Sequence, residues 1–242
     1  LNLAGPGANK VILNGDNLAH IFFLDDGTPT IDSPISISGL AFVNGNDANG
    51  GAIYSSESFT LKNCVFTDNT ATSGGGAVFQ EAPAAGSTAT VINCLISGNK
   101  VTSASSTGGG IYLSVGKSIL ISHTSIIGNS AGKYFGGLDA AGGINGGGIT
   151  ISSCLISGNS ATASAGGFEC LGENGAKVAI TGSVISGNTS GSNAGGGIVY
   201  HGHVLLAGDT IQANTATGNG GGIYDADCDS LTIMGGSIAG NK

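Results

Sequence analysis

Three sets of apolar positions recur along the chain at fixed distances from an Asn. The Asn residues stand at 69, 99, 129, 159, 188, 214 and 241, spaced 30, 30, 30, 29, 26 and 27 apart, which is the period of a repeat architecture. Ten residues before each Asn come Phe59, Ala89, Ile119, Ile149, Val178, Val204 and Leu231. Eight before come Leu61, Val91, Ile121, Ile151, Ile180, Leu206 and Ile233, and three before come Phe66, Ile96, Ile126, Ile156, Ile185, Ile211 and Ile238. The positions between them are mixed. Apolar residues two apart predict strands with one buried face.

Six residues before each Asn the chain reads Asn63, Asn93, His123, Ser153, Gly182, Gly208 and Gly235, a set that tolerates left-handed backbone angles and predicts a bend. Each unit opens on a glycine cluster: GGAI at 50–53, GGAV at 75–78, GGGI at 108–111, 195–198 and 220–223, and the shorter GGL at 136–138 and GGF at 166–168. A unit therefore reads as short strand, glycine turn, strand, bend, strand and Asn turn, with no room for a helix. Stacking like on like predicts an all-β fold, a right-handed parallel β-helix of about eight or nine coils around a narrow core of Ile, Leu and Val. Residues 1–45 are a less regular version of the same plan. Their strand-like runs, 10–15, 19–27 and 34–46, read as entry coils in which Ile35, Ile37 and Phe42 take core positions. Residues 46–242 are the regular repeats, and the whole reads as one domain. The longest loops, 81–88, 102–107 and 133–148, are rich in Ser, Ala and Gly.

Composition narrows the class. Gly makes up 46 of 242 residues with only 4 Pro and no triplet period, and 40% of residues are hydrophobic, so neither collagen nor disorder fits. Charged residues are 9%, the net charge is −8 and every basic residue is Lys. No basic stripe is present to neutralise phosphates, and a nucleic-acid partner is not expected. No apolar run approaches the length of a membrane span. The chain starts at Leu1 with no charged-then-apolar leader, which reads as a removed export signal or an excised part of a longer chain.

The pairing of GGAI at 50–53 with FTDN at 66–69 resembles the repeats of polymorphic outer-membrane proteins, and the opening AGPGANKVILNGDN is similar to the entry coil of secreted bacterial β-helix proteins. That resemblance covers nearly the whole chain, with IxxN and GGGI replacing FxxN and GGAI later on. It implies an extracellular or cell-surface chain serving as adhesin, passenger or structural stalk, and a host or cell-surface glycan as partner. It carries over no catalytic residue.

Candidate chemistry is sparse. Stacked Asn side chains at turns satisfy backbone groups and each other, which is a structural role. Cys64, Cys94 and Cys154 share one column with Thr124, Ser183, Asp209 and Gly236, as small soft core residues do. Cys64 and Cys94 fall on adjacent coils within disulfide range, although stacked parallel side chains suit its dihedral badly, whereas Cys170 and Cys228 read as loop residues on non-adjacent coils, with no disulfide expected between them. Asp225, Asp227 and Asp229 alternate along what reads as an extended strand; three carboxylates on one face suit calcium, the one metal or cofactor the sequence suggests. His201 and His203 likewise read as sharing a strand face, too few for a zinc or copper site by themselves.

Two function classes follow. The first is a non-enzymatic surface module. The alternative is a polysaccharide-active enzyme, a lyase or a glycosidase built on Asp209, Asp225 and Asp227. With no Arg, no Trp and no recognisable carboxylate pair, catalysis is not expected. An ice-binding face would need regular Thr rows, and Leu120, Ala179 and Leu205 interrupt the row of Thr60, Thr90 and Thr150. The last rung of these residues reads without a polar cap, so end-to-end self-association is expected unless further sequence covers it, and Ile92, Leu120, Leu205 and Met234 add an apolar flank for sideways packing.

Overall fold

The computed structural model describes residues 1–242 except Pro29, Pro83 and Ile144; the last two fall inside two of the long loops and lie outside the described residues. The chain winds as a parallel β-solenoid of about eight turns, with four sheets running its length. The first sheet holds nine strands, from Asn2–Ala4 through Phe59–Lys62 to Ser230–Met234. The second also holds nine, from Ile12–Asn14 to Ser237–Ala239. The third has seven, from Asn46–Asn49 to Thr215–Ala216, and the fourth has eight, from Phe22–Leu24 to Ile223–Asp225.

The register places the sequence columns directly on one another. Phe59 pairs with Ala89, then Ile119, Ile149, Val178, Val204 and Leu231 in turn. Leu61, Val91, Ile121, Ile151, Ile180 and Leu206 form the next row, and all six are buried. In the entry coils Ile35 pairs with Phe59 and Phe42 with Phe66, so these residues begin the same rows. At full burial each Ile or Leu contributes about 1.5–3 kcal/mol.

The bend between the first and second sheets has the predicted backbone. Asn63, Asn93, His123 and Ser153 take φ of 54°, 53°, 50° and 52°, and Gly182, Gly208 and Gly235 continue at 57°, 68° and 66°. Each coil turns one corner there. The glycine cluster answers a second constraint, close approach. A Cβ on Gly137 would lie 2.5 Å from the Gly167 carbonyl oxygen and 3.0 Å from the Asn159 side chain, so the next coil occupies the space a side chain needs.

Seven successive coils contain four strands rather than the expected three. The extra strand follows the Asn turn and is only two residues long in most coils, as in Lys100–Val101, Ser130–Ala131 and Ser160–Ala161. Two residues are too few to display a period, although Val101, Ala131 and Ala161 do point inward and are buried. The segment 133–148, read as a loop, contains the strand Leu138–Gly142; its DAAG sequence looks like a loop, yet Ala140 is buried in the core. Cys170 is corrected in the same way. It sits in the strand Phe168–Gly172 and is fully buried, with Ala140 and Val199 on either side.

Inside the second corner the Asn side chains bond from coil to coil. Asn129 Nδ2 donates to Asn159 Oδ1 at 3.0 Å and to the Ile96 carbonyl at 3.0 Å, while Asn129 Oδ1 accepts from the Asn99 amide and from Asn99 Nδ2, both at 2.9 Å. The same arrangement repeats from Asn69 to Asn241. No helix among the described residues is long and apolar enough to cross a membrane.

Candidate functional site: an aromatic and acidic stripe

The fourth sheet has alternating side chains, and its outward row is where chemistry collects. Register aligns Phe23, Tyr54, Phe79, Tyr112, Asp139, Glu169, Ile198 and Tyr224, one from each coil. Strands one coil apart bring equivalent side chains within contact, so four rings stack. Phe23 and Tyr54 have centroids 4.9 Å apart, Tyr54 and Phe79 5.7 Å, and Phe79 and Tyr112 4.5 Å, with interplanar angles of 7° to 11°. Neighbouring rings cover each other's faces. What remains for a ligand along the stack is ring edge, which is not the surface that sugars stack upon.

Beyond Tyr112 the row changes character. Asp139 is buried, at 6% exposure, and Glu169 on the next coil is partly buried. The two side chains hydrogen bond to each other, and the Thr107 hydroxyl donates to Asp139 Oδ2. Burial pushes the Asp139 carboxyl up to about 6, against the pull of the Thr107 and Glu169 hydrogen bonds. Burial and the adjacent Asp139 charge push Glu169 up to about 9. At neutral pH the pair therefore holds one proton between its two carboxyl groups. Tyr112 is pushed up to about 12 by burial and the Asp139 charge.

Loops fold over this end of the sheet. The Thr107 amide donates to the Ser73 carbonyl and its own carbonyl accepts from Gly75. Ala165, Ala194 and Ile198 form a small second core against Phe135, Tyr200 and Tyr224. Phe135 stands where the preceding coils have Gly75 and Gly108, and it adopts the same left-handed conformation at φ 43°. An aromatic residue there costs on the order of 1 kcal/mol relative to glycine; packing in the second core offsets it.

The residues singled out in the sequence are placed differently. The strand that was to carry Asp225, Asp227 and Asp229 ends at Asp225. Asp227 takes φ 99° and the Asp225 carboxylate accepts the Cys228 amide at 3.0 Å, so a turn breaks the alternation and the three do not share one strand face. Among the described residues the three acidic side chains whose oxygens do converge, within 4.8 Å, are Asp25, Asp26 and Glu57. They border a pocket of about 230 Å³ with Phe23 and Ser33. Their oxygens already have donors: Glu57 accepts the Ser33 amide at 2.7 Å, and hydrogen bonds from Ser33 and Thr28 hold Asp26 down to about 2. His201, at φ 51°, lies in a turn, whereas His203 opens the strand His203–Ala207 and bonds Ser230 at 3.0 Å. The shared strand face of these two is corrected as well. Asp209 points inward and is buried, accepting the Ser183 amide at 2.7 Å. All five cysteines are free thiols.

A family model described as a right-handed β-helix region matches residues 17–238. The chain belongs to the right-handed β-helix family. No curated protein and no solved structure matches it. Family membership fixes the handedness of the solenoid. Chemistry on a right-handed β-helix rests on its outward rows and loops, because the inward rows are spent on the core.

The Asp139 and Glu169 pairing escapes the column pattern because the columns count back from the Asn, and the outward row after each glycine cluster lies outside them. A signal for it is present: the residues following the first five glycine clusters are Tyr54, Phe79, Tyr112, then Asp139 and Glu169, an abrupt change from aromatic to acidic at one structural position.

Proposed function

We propose that this β-helix is a non-enzymatic, extracellular or cell-surface module that serves as a rigid stalk, passenger or adhesin. The observation supporting this reading is where the interior polar groups spend their hydrogen bonds. The Asn residues from 69 to 241 bond to the coils on either side. The Cys154 amide donates to Ser183, and the Ser183 amide to Asp209. Polar groups that clamp neighbouring coils stiffen a rod; they leave no donors aimed at a substrate. The outward positions Val65, Leu95, Ser125, Leu155, Val184 and Thr210 line up across the second sheet without a charge, a surface suited to a neutral glycan. The likeness of its GGAI and FxxN motifs to outer-membrane repeats supports export.

The competing reading is a polysaccharide-active enzyme, and the spacing of the Asp139 and Glu169 pair does not fit it. Retaining glycosidases keep their two carboxyl groups about 5 Å apart and inverting ones about 6.5–9.5 Å, whereas Asp139 and Glu169 bond directly. Purified protein is expected to leave pectate, alginate and hyaluronan intact. Turnover by the parent that disappears in Asp139→Asn or in Asp225→Ala would overturn the proposal.

Self-association belongs to the same reading. Ile233, Met234 and Ile238 on the last rung of these 242 residues are 52%, 61% and 52% exposed. Where no further sequence covers them, another rung from a second copy would do so and extend the sheets, a heterologous contact that propagates. Sedimentation of the 242-residue chain should show a weight-average mass that rises with concentration. A monomer at every concentration would sink the idea.

A further inference from the structure

Two carboxyl side chains directly opposite each other on neighbouring strands are unfavourable when both are charged. Asp139 and Glu169 occupy such positions, in register on adjacent coils, beneath loops that shield them from water. The groups that sense them are themselves acids. Tyr112 on the coil before, Cys170 on the inward side of the Glu169 strand, and Tyr200 on the coil after are all pushed upward with these carboxylates among the causes, and Glu81 acts on Tyr112 as well. Lys133, in the loop ahead of the Asp139 strand, lies over the Tyr134 ring, 4.5 Å from its centroid. No positive group among the causes of either shift compensates the pair. What compensates it is the proton between the two side chains, together with the Thr107 hydroxyl reaching Asp139 from the loop.

We propose that Asp139, Glu169 and Thr107 form a proton-held clasp that links the loop 102–107, already bonded to the neighbouring coil through its backbone, to the outer face of the fourth sheet, and that raising the pH breaks this link. Acid closes the clasp by leaving at most one charge in the pair. Loss of the shared proton puts two charges in register, and the loop hydroxyl cannot compensate both. Both carboxyl groups hold protons more tightly in the folded chain than in the unfolded one, where they titrate near 3.8 and 4.5. The folded chain therefore binds more protons between about 4 and about 9, and stability falls as the pH rises through that window. Asp26 has the opposite sign, held down at about 2, and its contribution is lost only at the acid end.

Carboxyl carbon NMR titration of the intact chain tests this directly, since it contains only the glutamates at 57, 81, 169 and 173. One glutamate resonance, absent in Glu169→Gln, should titrate near 9, and the Thr107 amide signal should move with the same midpoint. Asp139→Asn, which removes the neighbouring charge, should lower that midpoint; burial acting alone would leave it unchanged. The thermal midpoint of the parent should fall between pH 5 and pH 9. In Glu169→Gln, whose amide still donates to Asp139 without titrating, the fall should be reduced. A Glu169 midpoint in the ordinary carboxyl range, a Thr107 signal indifferent to it, an Asp139→Asn midpoint equal to the parent's, or an undiminished alkaline fall in Glu169→Gln would overturn the clasp. Should Glu169→Gln fail to fold, the parent's own titration, assigned through its bonds, still decides.

Discussion

Ile151→Asp should unfold the middle of the rod at a temperature where the parent is intact. Ile151 is fully buried and stands between Ile121 and Ile180 in the inward row of the first sheet. Aspartate there loses about 1.5–3 kcal/mol of apolar burial and adds a carboxyl group with no hydrogen-bond partner, which costs several kcal/mol more whether it stays charged or takes up a proton. Together these approach the 5–15 kcal/mol by which a whole domain is stable. In a solenoid the damage is also positional, because each coil contacts only its neighbours and a broken middle coil separates two halves. Circular dichroism melts check it against two companions. Ile151→Val should cost about 0.5–1.5 kcal/mol, and Met234→Asp, at an exposed position, should stay within about 0.5 kcal/mol of the parent. If Ile151→Asp melts with the parent, the inward row is misassigned.

The parts of the fold that were legible are those where one physical requirement repeats at every coil. Apolar residues two apart specify which face is buried, so the rows through Phe59, Leu61 and Phe66 could be written down from spacing alone. The left-handed corner was legible too, because only Asn, His, Ser and Gly appear there in seven units. Features that occur once were not. The third sheet is built from pairs such as Ser130–Ala131, too short for a period. Cys170 and Ala140 lie among glycines and small residues and read as loop, although the register holds them in the core. Asp225, Asp227 and Asp229 do alternate in sequence, but a turn at Asp227 is invisible to alternation. The acid pair on the fourth sheet needed the outward row to be aligned coil by coil. Its significance comes from burial by the loops around Thr107, which no residue spacing records.

Asn129→Ala is expected to cost more than an ordinary core truncation, because every hydrogen-bonding group of the Asn129 side chain is in use. Its two amide protons go to the Ile96 carbonyl and to Asn159 Oδ1, and its oxygen accepts the Asn99 amide and Asn99 Nδ2. Alanine leaves the Asn99 amide and one Asn99 side-chain proton without partners at a fully buried position and takes a side-chain donor from the Ile96 carbonyl, which stays in the ladder between neighbouring strands. An unsatisfied buried group costs about 1–3 kcal/mol, so two orphans place the total on the order of 2–6 kcal/mol. Asn129→Asp should be no better. It keeps both acceptor positions but turns a donor into an oxygen facing the Ile96 carbonyl and Asn159 Oδ1, three acceptors with nothing to share. The informative comparison is Asn241→Ala on the last coil. Asn241 makes the corresponding bonds to Ile211 and Asn214, but it is only partly buried, so water can satisfy what the substitution leaves open. Urea denaturation should give a loss at Asn241 less than half that at Asn129. Equal losses would mean that the side-chain bonds matter no more in the dry middle of the rod than at its wet end, and the Asn row would then not be what holds neighbouring coils together.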